Sequence, residues 1–265
     1  VTRDDRARLR TTFTEAAEPY DRVRPGYPPR MFADLAELAG AGPGCRVLEI
    51  GCGTGQATVP LAERGCRVIA VELGADMARM ARRNLARFPE AEVVTAVFED
   101  WPLPDEPFDM VIAATAFHWL DPDVRVDKAA EALRLGGALA TVATHHVAGG
   151  SEDFFAEVQD CYERFDPSTT PGLRIPAADD IAEDGEELDR SRRFGPVVFR
   201  RYERELSYST AEYLDLLLTY SGPRALAPAA RSGLLECIAH LIDGRHGGRV
   251  RKRYLTELRV AHRTV

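Results

Sequence analysis

Glu49-Ile50-Gly51-Cys52-Gly53-Thr54-Gly55 places an acidic residue before three glycines spaced two apart, directly after an apolar run and ahead of a helical pattern. Glycines in that setting let the backbone approach a ligand without a Cβ clash and take positive φ values. Glu72 closes the next apolar run, about where a Rossmann-type fold grips ribose hydroxyls. A carboxylate suits that task because it accepts hydrogen bonds from both hydroxyls of a diol. A dinucleotide loop would need a small residue where Gln56 stands, and a phosphate-binding P-loop would need Gly-Lys-Ser/Thr after the turn. Glu49 would repel a pyrophosphate but suits a ligand carrying an ammonium group. An adenosine bearing an amino acid meets these constraints better than a dinucleotide does. The competing interpretation is a strand-to-helix turn that binds nothing.

The elements that must position these residues follow from hydrophobic periodicity. Residues 45–50, 67–72, 92–98, 108–114 and 138–144 are β-rich apolar runs, nearly continuous in Val, Ile, Leu and Ala, as strands buried on both faces are. Helical patterns fill the gaps, through about residue 64, over 75–88, and over about 122–134, where Gly136 and Gly137 are expected to act as a stop. Repeated strand–helix–strand order implies right-handed crossovers and a parallel sheet with helices on both faces. Residues 151–165 form an amphipathic helix, after which Pro167, Pro171, Gly172 and Pro176 break the chain. The acidic stretch from Asp179 to Asp189 suits a solvated loop or helix edge. Residues 196–207 and 252–262 alternate as strands, separated by helical patterns at about 210–221 and 228–243. The expectation is an α/β fold: a Rossmann-like, doubly wound, mostly parallel seven-stranded sheet, with a helical insert between the last two strands. That insert, about residues 208–245, is too long for an ordinary connection.

The chain has 265 residues, 45% apolar and 29% charged, with a formal net charge of −8. Those fractions are globular, and the acidic balance argues against nucleic acid held by broad electrostatics. No apolar run is long enough for a membrane helix, and Val1 to Arg10 lacks the apolar centre of a signal peptide. Five cysteines with no CxxC pair predict neither a disulfide framework nor a structural zinc site, and so a reducing cytoplasmic setting. No histidine spacing completes a metal site. A homodimer is compatible with this composition.

The stretch VLEIGCGTGQAT (47–58) resembles motif I of the class I S-adenosylmethionine (SAM)-dependent methyltransferases, and the likeness is to small-molecule, type 11-like members. It continues through VIAVELGADMARMARRN (68–84), PFDMVIAATAFHWLDP (107–122) and EALRLGGALAT (131–141), and FTEAAEPYDRVRPGYP (13–28) is similar to a segment that many members fold over the cofactor. The resemblance implies one methyltransferase domain over residues 1–265: a cofactor cover at 1–30, a SAM-binding core at 31–145 and an acceptor-side region at 146–265. It implies that Glu49 orients the methionine ammonium, that Gly51, Gly53 and Gly55 give backbone room, and that Glu72 takes the ribose hydroxyls. Met77 would lie against the adenine. Many relatives read the adenine amino group with an Asp at the end of the third strand. Val97 occupies that place here, leaving the Phe98 backbone or the Glu99 carboxylate; Glu99 and Asp100 would equally suit a helix N-terminus. Tyr20 and Arg22 would close over the methionine end, although a surface Tyr-Asp-Arg turn would look the same.

Methyl transfer is an in-line displacement on an already activated methyl group, so the protein chiefly aligns the acceptor and excludes water. A phenol, hydroxyl or protonated amine acceptor also gains from a base. His118 falls just past the fourth strand and is a candidate base or orienter, with a structural histidine at a helix start as the alternative. His145 and His146 follow the fifth strand on the same sheet edge, and one of the pair could face the pocket. Trp119 suits the acceptor site or ordinary packing. Tyr213, Leu217 and Tyr220 form a stripe on the insert that suits either an acceptor lid or core. Arg245, Arg249, Arg251, Lys252 and Arg253 could touch an anionic group or form an exposed strand entry. The resulting expectation is methyl transfer to a small molecule, at oxygen or nitrogen rather than carbon. The alternatives are a non-catalytic SAM-binding module on the same fold and, opposed by Gln56 and Glu49, a nicotinamide-dependent oxidoreductase.

Overall fold

The computed structural model describes residues 17–265. Residues 1–16, the first part of the expected cofactor cover at 1–30, lie outside the described residues. Seven strands form one sheet: β1 (Arg46–Ile50), β2 (Arg67–Glu72), β3 (Ala91–Thr95), β4 (Phe108–Ala114), β5 (Leu133–Gly150), β6 (Val198–Ser209) and β7 (Arg249–His262). Their spatial order is β3-β2-β1-β4-β5-β7-β6. All neighbours are parallel except β7, which runs antiparallel between β5 and β6. The order therefore reverses between β1 and β4, and the crevice beyond their carboxyl ends is where ligands of open α/β sheets bind.

The helices are α1 (Ala17–Val23), α2 (Pro29–Ala39), α3 (Thr58–Glu63), α4 (Ala75–Asn84), α5 (Arg125–Ala132), α6 (Glu152–Phe165), α7 (Glu186–Ser191), α8 (Thr210–Leu217), α9 (Ser221–Ala225) and α10 (Pro228–Arg245). Local chemistry explains several boundaries. Helix α2 starts with Pro29 in its first turn and stops at Gly40, whose φ of 68° is the left-handed cap that releases the chain. Asp76 lies in the first turn of α4 and Arg82 and Arg83 in its last, complementing the helix dipole. Ser209 turns β6 into α8 with a capping box, in which Glu212 Oε2 accepts from the Ser209 amide at 2.8 Å.

Two boundaries differ from the periodicity in ways that matter. Helix α5 ends at Ala132, and Gly136 and Gly137 lie inside β5 instead of stopping a helix. A Cβ at Gly137 would stand 3.0 Å from the Asp109 carbonyl oxygen, so this glycine permits close approach to β4. Strand β3 ends at Thr95, and the Ala96 amide donates to the Glu72 carbonyl at 3.0 Å as the chain leaves the sheet. That exit carries Phe98 into the core on one face of the sheet, where it is buried.

One core lies on each face of the sheet, and a third joins α6 to the insert through Phe154, Val158, Tyr213, Leu216, Leu234 and Ile238. Each such side chain contributes about 1.5–3 kcal/mol on burial. Cys161 of α6 and Cys237 of α10 are joined by a disulfide across that interface, at a sequence separation of 76. This corrects the expectation of no disulfide. Spacing rules detect nearby pairs, whereas this pair meets only because two distant helices pack side by side. Cys45, Cys52 and Cys66 are free and buried. Among the described residues no helix is long and apolar enough to cross a membrane, and no group of three or more ligating side chains could hold a metal ion.

Closing a loop of this length restricts the unfolded chain, and the chain-entropy account puts the stabilisation at about 4–5 kcal/mol. Cys161→Ser should lower the free energy of unfolding in urea by that amount. Thiol labelling of the unreduced, unfolded wild type should find three reactive cysteines, and five would contradict the cross-link.

Candidate active site

The glycine loop is folded around a carboxylate. The Gly51 amide makes the last bond of β1, to Val71 O at 2.8 Å. The loop then turns through positive φ values of 68°, 60° and 100° at Gly51, Gly53 and Gly55. Glu72, at the end of β2, accepts from the Gly53 amide at 2.9 Å and the Gly74 amide at 2.7 Å, one on each oxygen. A carboxylate has about four acceptor sites, so these amides fix its orientation without using its full capacity. Asn84 at the end of α4 donates to Thr54 O at 2.9 Å and to Asp21 of α1 at 2.8 Å, tying the loop to the N-terminal helix. A Cβ at Gly51 would stand 2.7 Å from the Cβ of Ala116, so this position is held to glycine by both backbone angle and space.

Glu49 lies beneath this loop, 1% exposed. Its Oε2 has no hydrogen-bond partner among the described residues. Burial pushes its carboxyl up to about 8; the Thr58 hydroxyl opposes this and the Glu72 charge adds to it. The protein thus holds a buried acid that favours its neutral form until a cation or donor meets it.

Above the loop a cavity of about 340 Å³ opens at the β1–β4 reversal, within the range of small-molecule sites. Val71, Leu73, Met77, Ala96 and Phe98 form an apolar wall beside Glu72, while Tyr20, Arg24, His118, Trp119, His146 and Tyr220 line the remainder. Thr115, just past β4, has a φ of 56°. That conformation is costly for a β-branched residue. It is held by a 2.8 Å bond from its amide to Val142 O and by the Tyr27 hydroxyl 2.9 Å from its Oγ1.

The cavity thus brings together Tyr20, Gly51, Gly53, Glu72, Met77, Phe98, His118 and His146 from the sequence-predicted set. His118 sits in a 3-10 turn, Phe117–Trp119, its ring tilted against Trp119 at 4.8 Å between centroids. Partial desolvation at the cavity, then the Arg125 guanidinium, hold its imidazole below the ordinary range although the residue keeps solvent contact. Strand alternation decides between the two adjacent histidines. His146 faces the cavity with its Nε2 3.2 Å from the Tyr220 hydroxyl. His145 points to the opposite face, near Glu257, and does not line the cavity. Burial, then the Lys252 and Arg24 charges, push His146 down to about 3.

Four other predicted residues lie outside the lining. Glu49 and Gly55 sit below the loop. Arg22 pairs with Asp215 of α8 at 2.7 Å on the surface, because two residues along a helix rotate it by about 200°, to the face opposite Tyr20. Glu99 accepts from the Asp121 amide at 3.1 Å, bracing the 3-10 turn's exit rather than capping a helix. Arg24 lines the cavity in place of Arg22, stacked 4.5 Å from the Tyr220 ring centroid and 5.1 Å from that of Tyr20. No local sequence signal distinguishes Arg24 from Arg22, since only the end of α1 at Val23 turns the chain inward.

Residues 47–137 match the methyltransferase domain family. An uncharacterized methyltransferase of Mycobacterium tuberculosis is 37% identical over 131 residues, 49% of this chain and 51% of that protein. Malonyl-[acyl-carrier protein] O-methyltransferase of Geobacter sulfurreducens is 36% identical over 125 residues, 44% of this chain and 45% of that one. The chain spans about half the length of the curated relatives it matches. Among solved structures, a provisionally assigned type II methyltransferase from Anaeromyxobacter dehalogenans is 27% identical, with a TM-score of 0.58 over 90% of this chain and 97% of that one. A Haemonchus contortus phosphoethanolamine N-methyltransferase, solved with S-adenosylhomocysteine, shares the fold at 17% identity, with a TM-score of 0.55 over 100% of this chain and 61% of that one. Over residues 47–137 the chain is thus similar to the methyltransferase domain family, and over most of its length it shares the fold of solved methyltransferases.

Two outcomes follow from the loop. Gly51→Ala should lower stability by about 1–3 kcal/mol in urea unfolding, through the Ala116 contact and the left-handed angle. For Glu49, a native value near 8 against an unfolded value near 4.3 means that the native state binds more protons between them. Stability therefore falls as pH rises through that window. Glu49→Gln should gain melting temperature relative to wild type as pH goes from 5 to 8, and a constant difference would contradict a buried titrating acid.

Proposed function

We propose that the protein transfers the methyl group of S-adenosylmethionine to an oxygen or nitrogen atom of a small molecule. The observation that carries this reading is the Glu72 carboxylate, fixed by the Gly53 and Gly74 amides at the rim of a cavity that continues past it to His118 and His146. A ribose diol donating to Glu72 would set the adenine against Met77 and Phe98. The amino-acid end would then run along the glycine loop toward Tyr20, over the buried Glu49. An ammonium group there would draw Glu49 into its charged form, which the unliganded site disfavours.

When bound, the cofactor supplies a methyl group already activated on a sulfonium. The chain's own residues then align the acceptor and keep water out. His118 is the better placed base: it is neutral near pH 7 and stands at the mouth between cofactor wall and acceptor space. His146 is held neutral by the cations behind it and orients through Tyr220. Oxygen or nitrogen acceptors are favoured because they release a proton that an imidazole can take. The oxygen transfer named for the Geobacter relative is in line with that choice.

Calorimetric titration with S-adenosylhomocysteine tests the cofactor. Saturable binding is expected, weakened about 10- to 100-fold by Glu72→Ala, as loss of a charged hydrogen-bond acceptor implies. Equal affinity in that variant, or tighter binding of NADH, would overturn the reading. His118→Ala should lower turnover by about 100-fold or more while leaving S-adenosylhomocysteine affinity nearly unchanged. Unaltered turnover at saturating acceptor would remove His118 from the chemistry.

A further inference from the structure

The turn that presents His118 is too short to hold its own direction. Phe117–Trp119 is a single 3-10 turn, closed by the Trp119 amide on Ala116 O at 3.0 Å and the Leu120 amide on Phe117 O at 3.2 Å. Outside contacts brace both of its ends. At the exit, Glu99 accepts from the Asp121 amide at 3.1 Å. Lys128 of α5 fixes the segment bearing Glu99, donating to Glu99 O at 2.8 Å and Trp101 O at 2.6 Å. At the entry stands Arg125, the first residue of α5. Its Nη1 donates to Phe117 O at 2.9 Å, and its guanidinium lies 4.9 Å from the Phe117 ring centroid. Phe117 O therefore accepts twice, once from within the turn and once from Arg125.

A distant part of the chain grips Arg125 in turn. Its Nε and Nη2 donate to the two oxygens of Glu187 on α7, at 2.7 and 2.8 Å, across 62 positions of sequence. The pair is bidentate and the Arg125 side chain is 16% exposed, whereas Glu186 and Arg190 of the same helix form an ordinary surface pair. Leu188 docks α7 against α5, buried in the core that holds Val126, Ala129 and Phe98. A helix within the acidic stretch thus reaches the turn at the cavity mouth instead of serving only as solvated surface. The charged groups about the turn are Arg125 and Lys128 on α5, Glu187 on α7, Glu99 and Asp121. Desolvation, and then the Arg125 charge, disfavour the imidazolium of His118.

We infer that Arg125, gripped by Glu187, is the positioning residue of the His118 turn, so that helix α7 holds the candidate base at the cavity mouth. This rests on the methyltransferase reading with His118 as its base, and adds two residues that act through His118 and do not line the cavity. The fork ties Phe117 O, and with it the direction of the next side chain, to the packed pair of helices α5 and α7. The positive charge beside the turn keeps His118 in the neutral form that takes a proton from an oxygen or nitrogen acceptor. Arginine suits both tasks. Its planar group serves Glu187 through Nε and Nη2 and leaves Nη1 for Phe117.

The test uses the whole protein with carbon-13-labelled histidine, the His118 resonance being the one missing from His118→Gln. Arg125→Met, which removes the charge and keeps the bulk, should raise the pH at which His118 titrates. Arg125→Lys, which keeps the charge but loses the fork, should leave that pH closer to wild type. Deuterium exchange of the Trp119 and Leu120 amides should quicken by about 10-fold or more in Glu187→Gln and in both Arg125 variants, as loss of a charged hydrogen bond implies. Glu186→Gln, at the exposed pair of α7, should alter neither readout. An unmoved titration in Arg125→Met, an equal shift in both Arg125 variants, or unaltered exchange in Glu187→Gln would overturn the inference while the cofactor reading stands. Calorimetry of the wild type with S-adenosylhomocysteine runs alongside. Failure to bind would overturn the methyltransferase reading, and with it the base that the clamp serves, whatever the titrations show.

Discussion

The contact on which the site depends is the carboxylate of Glu72 accepting from the Gly53 and Gly74 amides. It joins the end of β2 to the loop after β1 and so fixes the shape of the crevice at the strand-order reversal. Both amides would otherwise face a cavity without a partner, and an unsatisfied buried donor costs about 1–3 kcal/mol. The positive φ angles of the loop exist to aim the Gly53 amide at Glu72. The exit of β3 at Ala96, bonded to the Glu72 carbonyl, then delivers Phe98 to the same wall. One acidic residue therefore organises three strand ends through both its side chain and its backbone.

Around that contact the protein keeps polar groups in states that cost stability. Glu49 is buried without a full set of partners, Arg24 has a buried Nε without a partner among the described residues, Lys252 is an amine that burial among aromatic rings pushes down to about 7, and Thr115 is held at an unfavourable backbone angle. Such features concentrate where a ligand will later satisfy them. The surrounding architecture offsets the cost: apolar cores on both faces of the sheet, and a third core under the insert that the Cys161–Cys237 cross-link pins.

The sheet was legible because each of its strands is a compact apolar or alternating run, and the strand–helix rhythm leaves few topologies. The glycine-loop side of the cavity was legible because its residues cluster within local motifs: the loop at 49–55, Glu72 and Met77 follow one another within a single βαβ unit. The opposite side of the cavity was not. Arg24 and Arg22 are indistinguishable in sequence, and only the end of a short helix chooses between them. Lys252 sits in a basic run whose exposed members hide the buried one, and alternation reveals it only once the register of β7 against β5 is known. His146 and His145 pose the same parity question. The disulfide was invisible because its cysteines lie 76 residues apart on helices whose packing is a tertiary outcome.

A crystal structure of the protein grown with S-adenosylhomocysteine tests the central claim most directly. The account predicts both ribose hydroxyls on the Glu72 carboxylate, the adenine between Met77 and Phe98, and the sulfur turned toward the space between His118 and His146. A ligand bound elsewhere, or one whose ribose does not touch Glu72, would contradict it.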